Sequence, residues 1–153
     1  MGAITSGGAP TIDPAVTEKL HLSDRLVQSV VRRETQRMEH SRILYSSGRK
    51  SPDLNGKIVI LADDGATTGT TLAFAVQTIR QQGAAEVIVA VPVATPGAVS
   101  LVSQSADEVV CLMQPKTFIH VGRWYQKQED FTDRQICDML EHSADEWSQR
   151  KIA

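Results

Sequence analysis

Cysteine is scarce in this chain. Cys111 and Cys137 are the only two, and neither sits in a CxxC pair or beside ligand-spaced histidines. That pattern excludes a structural zinc site of the usual kind, and nothing in it demands a disulfide. A large excess of one charge is also missing. Sixteen Lys+Arg against eighteen Asp+Glu leave a formal charge of −2, whereas a dedicated DNA-binding or membrane-surface protein carries a strong basic excess. Long apolar runs are absent, and stretches such as Val87–Val91 are far too short to span a bilayer. Met1 leads into Gly2–Pro10 with neither a basic start nor an apolar core, so no secretory signal is read. The expectation is a soluble, cytoplasmic protein with neither nucleic acid nor membrane among its partners. His21, His40, His120 and His142 are scattered and read as structural or surface groups.

What is present is ordinary globular composition. Apolar residues make up 41% and charged residues 22% of 153 residues, enough for one domain over residues 1–153 that needs no staple. Residues 1–14 are rich in Gly, Pro, Ser and Thr and predict a short strand near 3–5 followed by a loop. Ser23 is a candidate N-cap for a long helix to about Ser46. Leu26, Val27, Val30, Val31, Met38 and Tyr45 recur at helical spacing and predict a buried stripe. Arg25, Arg32, Arg33, Arg37 and Arg42 occupy its other faces, with Arg49 and Lys50 just beyond. They form either a solvated surface or a source of one or two cations for a phosphate-bearing ligand.

From Gly56 the pattern changes. Lys57–Ala62 is a nearly continuous apolar run, predicting a strand buried on both faces. A polar Gly/Thr loop follows, then a periodic helix over 72–82 closed by Gly83. Glu86–Val93 predicts a second buried strand, Pro96–Ser103 a short helix and Asp107–Met113 a third strand. Thr132 can cap a last amphipathic helix through Leu140, leaving a polar tail over 141–153. Strand–helix–strand–helix–strand at this spacing predicts an α/β fold: a parallel sheet with flanking helices, doubly wound.

The informative stretch is Val59–Thr71, VILADDGATTGTT. In open parallel sheets ligands bind beyond the carboxyl ends of the strands, where Asp63 and Asp64 are expected. The following loop feeds a helix N-terminus, whose unpaired amides and dipole favour an anion. Gly65 and Gly69 let the backbone close on a phosphate, and Thr67, Thr68, Thr70 and Thr71 supply hydroxyls. Neither a GxxxxGK[ST] loop nor a GxGxxG fingerprint is present. Two carboxylates beside a phosphate repel it unless they have another task, such as accepting from a vicinal diol or holding a divalent cation. Phosphate on one side and ribose hydroxyls on the other describe a 5-phosphoribosyl group. The plainer alternative is a loop that caps the helix, with both aspartates facing water.

VILADDGATTGTT closely resembles the signature of type I phosphoribosyltransferases: a hydrophobic strand, two acids, then a loop ending T-T-G-x-T. VVRRETQRMEHSRILYSSGR, VIVAVPVATP, ADEVVCL and VGRWY resemble a predicted phosphoribosyltransferase subgroup, so the likeness runs from about residue 30 to residue 125. It implies that Asp63 and Asp64, as catalytic and substrate-binding residues, hold the ribose 2′- and 3′-hydroxyls. It implies that Gly65, Ala66, Thr67, Thr68, Gly69, Thr70 and Thr71 enclose the 5′-phosphate, and that no resident metal is held. Mg²⁺ is expected to travel with the substrate, 5-phosphoribosyl pyrophosphate, as that pyrophosphate is displaced by a nitrogenous, base-like acceptor. Purine-specific members often carry aspartate where this chain has Thr67, which weakens a purine-salvage assignment.

The family's opening strand, pyrophosphate loop and lid are not recognisable ahead of the signature. Gly7–Gly8 is a Gly-rich turn with no buried strand before it and no basic residue before Lys19. The chain therefore reads as an N-terminally shortened domain of this type, with a non-catalytic phosphoribosyl or nucleotide-monophosphate binding module, or an inactive truncated homologue, as the alternative. An open sheet short of a strand leaves unpaired edges and predicts a homo-oligomer, a dimer. Trp124 and Tyr125 either pack the sheet edge or stack on the acceptor, and Lys116 is a candidate contact for an acceptor carbonyl or a phosphate.

Overall fold

The computed structural model describes residues 2–3, 10–12, 14–46, 48–49, 51–116, 118, 120–127 and 130–150. Its centre is set by β4, Glu86–Val93, where side chains alternate strictly between the two sheet faces. Val87, Val89, Val91 and Val93 are all buried on one face, as β-branched residues on a pleated surface should be. β3 (Ile58–Ala62) and β5 (Glu108–Met113) flank it, both parallel to it, in the order β3-β4-β5. Ile58 pairs with Glu86, Ala62 with Ala90, and Val93 with Met113, so all three strands deliver their carboxyl ends to one edge.

Helix α3 (Thr70–Gln81) and helix α4 (Pro96–Val102) carry the chain back along the buried face. Leu72 and Val76 of α3, with Ala98 and Val102 of α4, complete the core against the β4 valines. Thr95 caps α4, its Oγ1 accepting from the Ala98 N–H at 3.0 Å, with Pro96 in the first turn where its missing N–H costs nothing. Gly83, at φ +86°, ends α3 and donates to the Arg80 carbonyl. Arg80 in turn clamps the start of β5. Its guanidinium reaches Asp107 at 2.5 Å, and the same Asp107 oxygen accepts from the Val87 N–H at 2.7 Å. Those contacts hold the Asp107 carboxyl below the usual carboxylate range, Arg80 contributing most.

The expectation that the Lys57–Ala62 run is buried on both faces is corrected. Ile58 and Ile60 are 65% and 67% exposed, and Val110 and Leu112 on β5 lie open on the same face. α3 and α4 both sit on the opposite face, and among the described residues no helix is laid over this one. The long basic helix is present as α2, Asp24–Ser46, with the Ser23 hydroxyl accepting from the Leu26 N–H at 3.4 Å. Its apolar stripe is not buried, and Leu26 is 49% exposed. α2 packs on the last helix, α5 (Asp133–Arg150), and one helix covers only a strip of another.

Helix α5 also runs beyond Leu140, so the polar tail expected over 141–153 is helical as far as Arg150, and residues 151–153 lie outside the described residues. Thr132 opens it with a capping box, exchanging bonds with Gln135. The polar continuation consists mostly of residues that tolerate a helix well, with His142 spaced to meet Glu146 at 3.8 Å. The Tyr45 hydroxyl ties α2 to α5 through Asp133 at 2.8 Å.

At the front, β1 (Gly2–Ala3) pairs antiparallel with β2 (Thr11–Ile12), ahead of a short helix α1 (Pro14–Lys19). The strand expected over 3–5 is described only to Ala3; residues 4–5 and the Gly7–Gly8 turn lie outside the described residues. Among the described residues no helix is long and apolar enough to cross a membrane.

Candidate functional site

The loop between β3 and α3 forms at the edge where the strands end. Asp63 follows Ala62 directly and its N–H still reaches the β4 carbonyl of Ala90, at 3.3 Å. The Asp64 N–H then turns onto the Asp63 Oδ1 at 2.9 Å, a tight turn that leaves both carboxylates exposed to solvent. At Gly65 the chain dives inward. A Cβ there would come within 2.9 Å of the Val93 carbonyl oxygen and 3.1 Å of the Val121 side chain, so the position admits only glycine.

Ala66 is buried and bridges to Ala94, its N–H bound to the Val93 carbonyl at 3.0 Å and its own carbonyl accepting from the Thr95 N–H. This corrects one expectation: the Ala66 amide is committed to β4 and is not open to a ligand. Thr95, which sequence reasoning did not single out here, donates its hydroxyl to the Thr67 carbonyl at 2.8 Å. The loop is thereby stitched to the end of β4 at three successive places.

Beyond Thr67 the side chains of Thr68, Thr70 and Thr71 are exposed, while Gly69 is buried against α4. Gly69 is the N-cap of α3 at φ +74° and offers no capping side chain. The Thr70 N–H leans on the Thr68 hydroxyl at 3.4 Å, whereas the amides of Thr67, Thr68, Thr71 and Leu72 have no acceptor among the described residues. Open amides at the start of a 12-residue helix are where an anion is favoured. Thr67, Thr68, Thr70 and Thr71 are all exposed around them. An exposed acid pair and an open helix N-terminus thus stand a few residues apart in one loop, at the carboxyl edge of a parallel sheet.

That loop lies within the segment, residues 3–127, that matches the phosphoribosyl transferase domain. The chain belongs to the phosphoribosyl transferase domain family. A Mycobacterium tuberculosis protein named, by inference, as a phosphoribosyl transferase is 31% identical over 143 residues, 94% of this chain. The chain spans about a third (32%) of that relative's length. The crystal structure of TT1426 from Thermus thermophilus superposes with a TM-score of 0.67 at 33% identity, covering 91% of this chain and 65% of that one.

In this phosphoribosyl transferase domain the acid pair is electrostatically loaded. Partial burial pushes the Asp63 carboxyl above its ordinary value, and the neighbouring Asp64 charge adds to that, against the Asp64 N–H bond, which favours the anion. A carboxyl raised in the folded state contributes stability that is present at low pH and lost as pH rises through its folded value. At neutral pH Asp63 therefore weighs against folding.

The segment after β5 completes the rim. A 3-10 helix, Val121–Trp124, is capped by His120, whose Nδ1 accepts from the Gly122 N–H at 3.1 Å. Phe118 and Trp124 stack, with ring centroids 6.3 Å apart and planes 10° from parallel. Tyr125 donates its hydroxyl to the Asp64 carbonyl at 2.7 Å. Sequence reasoning placed Trp124 and Tyr125 near the sheet edge or an acceptor, and it missed this bond. The arginines of α2 stand apart from this loop in their pairings: Arg33 and Arg37 with Glu34, Arg42 with Glu39, all on the surface. Exposed pairs of this kind contribute about 0–1 kcal/mol each.

Proposed function

We propose that this domain binds 5-phosphoribosyl pyrophosphate and transfers its phosphoribosyl group to a nitrogenous, base-like acceptor. The observation that carries the reading is the adjacency, in one loop, of an exposed acid pair and the open amides of α3. Asp63 and Asp64 accept from the ribose 2′- and 3′-hydroxyls. The amides from Thr67 to Leu72, with the hydroxyls of Thr67, Thr68, Thr70 and Thr71, hold the 5′-phosphate. Gly65 and Gly69 shape the loop between and beneath them.

The donor chemistry suits Mg²⁺ brought in with the substrate. Among the described residues no cluster of three or more His, Cys, Asp or Glu forms a cage, and Mg²⁺ ordinarily uses one or two carboxylates plus substrate phosphates and water. Asp63 and Asp64 are the carboxylates available to it. When bound, the ion neutralises charge on the departing pyrophosphate.

A second reading, a domain that holds the ribose phosphate without turning it over by itself, is favoured by one observation. The loop 63–71 contains no lysine or arginine, so its own side chains do nothing to neutralise a leaving pyrophosphate. Loss of one charge-stabilising donor costs about 10²–10³ in rate. A dimer is part of the proposal and is read by sedimentation.

Thermal melts test the binding. A ligand at about 100 times its Kd stabilises the fold by about 2.7 kcal/mol, and each kcal/mol moves Tm by about 2–4 °C at this size. Ribose 5-phosphate, or 5-phosphoribosyl pyrophosphate with Mg²⁺, is expected to raise Tm; no shift with either at millimolar concentration would sink the proposal. Pyrophosphate release in the presence of a panel of bases then separates the two readings: release assigns transfer, and binding without release assigns the non-catalytic module.

The raised Asp63 carboxyl makes the pH dependence specific. Diol hydroxyls donating to Asp63 stabilise its anion, so binding expels a proton wherever Asp63 is protonated in the free domain. Ribose 5-phosphate affinity is expected to rise with pH through the Asp63 titration, which lies above its ordinary value. The Asp63 contribution to folding stability runs the opposite way. Asp63→Asn should flatten that part of the affinity profile, and an unchanged profile would show that Asp63 does not meet the ligand.

A further inference from the structure

Asp64 differs from every other residue of the loop in how its main chain is held. Its N–H is taken by the Asp63 carboxylate at 2.9 Å and its carbonyl by the Tyr125 hydroxyl at 2.7 Å. The two peptide units flanking Asp64 are therefore each pinned by a side chain, one adjacent in sequence and one 61 residues away. The next residue, Gly65, is wedged between Val93 of β4 and Val121 of the 3-10 helix. With both peptide planes fixed, the Cα–Cβ direction of Asp64 is fixed as well.

The segment that carries Tyr125 is built to deliver it. His120 caps the 3-10 helix, the Tyr125 N–H closes it onto the Gly122 carbonyl at 3.4 Å, and Trp124 is steadied by Phe118. Tyr125 itself is 38% exposed. Burial does not force its hydroxyl to find a protein partner, because water would serve, and a solvent-accessible bond of this kind adds little to folding. What it does supply is a fixed link between the rim and the acid pair.

We propose that Tyr125 is a positioning residue for the acid pair, its hydroxyl setting the direction of the Asp64 carboxylate and so the affinity for a vicinal diol. The inference rests on the diol role given to Asp64 under Proposed function. It adds that recognition of the sugar is tuned from the segment carrying Tyr125, while recognition of the phosphate, held by α3, is not.

The test compares wild type with Tyr125→Phe, which keeps the ring and removes only the hydroxyl, using ribose 5-phosphate and inorganic phosphate as probes. The variant should bind ribose 5-phosphate about three- to ten-fold more weakly, the loss expected for one neutral hydrogen bond. Its inorganic phosphate affinity and its Tm should match wild type. Equal weakening for both probes, or a lowered Tm with an unchanged affinity ratio, would make Tyr125 a plain structural staple and overturn the inference. Unchanged ribose 5-phosphate affinity in the variant overturns it too, leaving the function intact. Failure of wild type to bind ribose 5-phosphate removes both. As a second measurement, amide NMR of wild type and variant without ligand should show the Asp64 and Gly65 signals displaced and those of Thr71 and Leu72 unmoved. Undisplaced Asp64 and Gly65 signals count against the inference.

Discussion

Gly69→Ala is expected to destabilise the domain by about 2–5 kcal/mol. Two independent costs combine. Gly69 sits at φ +74°, where an L side chain pays about 1–2 kcal/mol. Its Cβ would also stand 2.8 Å from the Ala98 carbonyl oxygen and 3.0 Å from the Ala98 Cα, both main-chain atoms of α4, and overpacking of that kind costs about 1–3 kcal/mol. Neither neighbour is a flexible side chain that can swing aside, because α4 is anchored by Ala98 and Val102 in the core. Against a total stability of about 5–15 kcal/mol, the loss should be plain as a lower urea midpoint with an unchanged slope. A cost well under 1 kcal/mol would show that α3 and α4 can slide apart. The sequence pattern assigns Gly69 to close approach of a phosphate; the structure gives it a second partner, the α4 backbone. Ligand binding by this variant must therefore be read only where the chain is folded.

Asp64→Asn is expected to separate the two halves of the proposed site. The amide keeps the shape of the side chain but replaces an anionic acceptor, and hydrogen bonds to charged groups are worth about 1.5–3 kcal/mol. Ribose 5-phosphate should bind about 10- to 100-fold more weakly. Inorganic phosphate should bind as well as before or better, because one repulsive charge near α3 is gone. The Asp63 carboxyl should also move back toward its ordinary value, since the Asp64 charge is one of the causes that raise it. Titration calorimetry with both ligands reads all of this. Equal loss of both would mean that the acid pair and the open amides do not divide sugar from phosphate between them.

Much of the fold was legible because its signals are local. β4 runs over Glu86–Val93 as its apolar run implies, Ser23 opens α2, and Gly83 closes α3. Each depends on residues within one turn or one strand. The run KIVILA misled about burial because apolarity states what a strand can tolerate, not what lies upon it. On β3 the alternate residues Ile58 and Ile60 are left exposed. Helix α5 was read short because its apolar period weakens after Leu140, whereas helix propensity continues through the polar residues that follow.

The candidate loop was legible for a related reason. An anion site at a helix N-terminus is made from consecutive backbone groups, so VILADDGATTGTT places acids, glycines and threonines in the order in which the folded loop presents them. From the sequence alone came the strand–loop–helix unit, the acid pair at its turn and the family resemblance. Only the tertiary structure decided which amides stay open, that Ala66 gives its N–H to Val93, that Gly69 lies against α4, and that Tyr125 reaches Asp64. Those contacts join residues about 30 to 60 positions apart. Local propensity carries no information about such pairs, because their geometry exists only once β4, α4 and the 3-10 helix have packed around the loop.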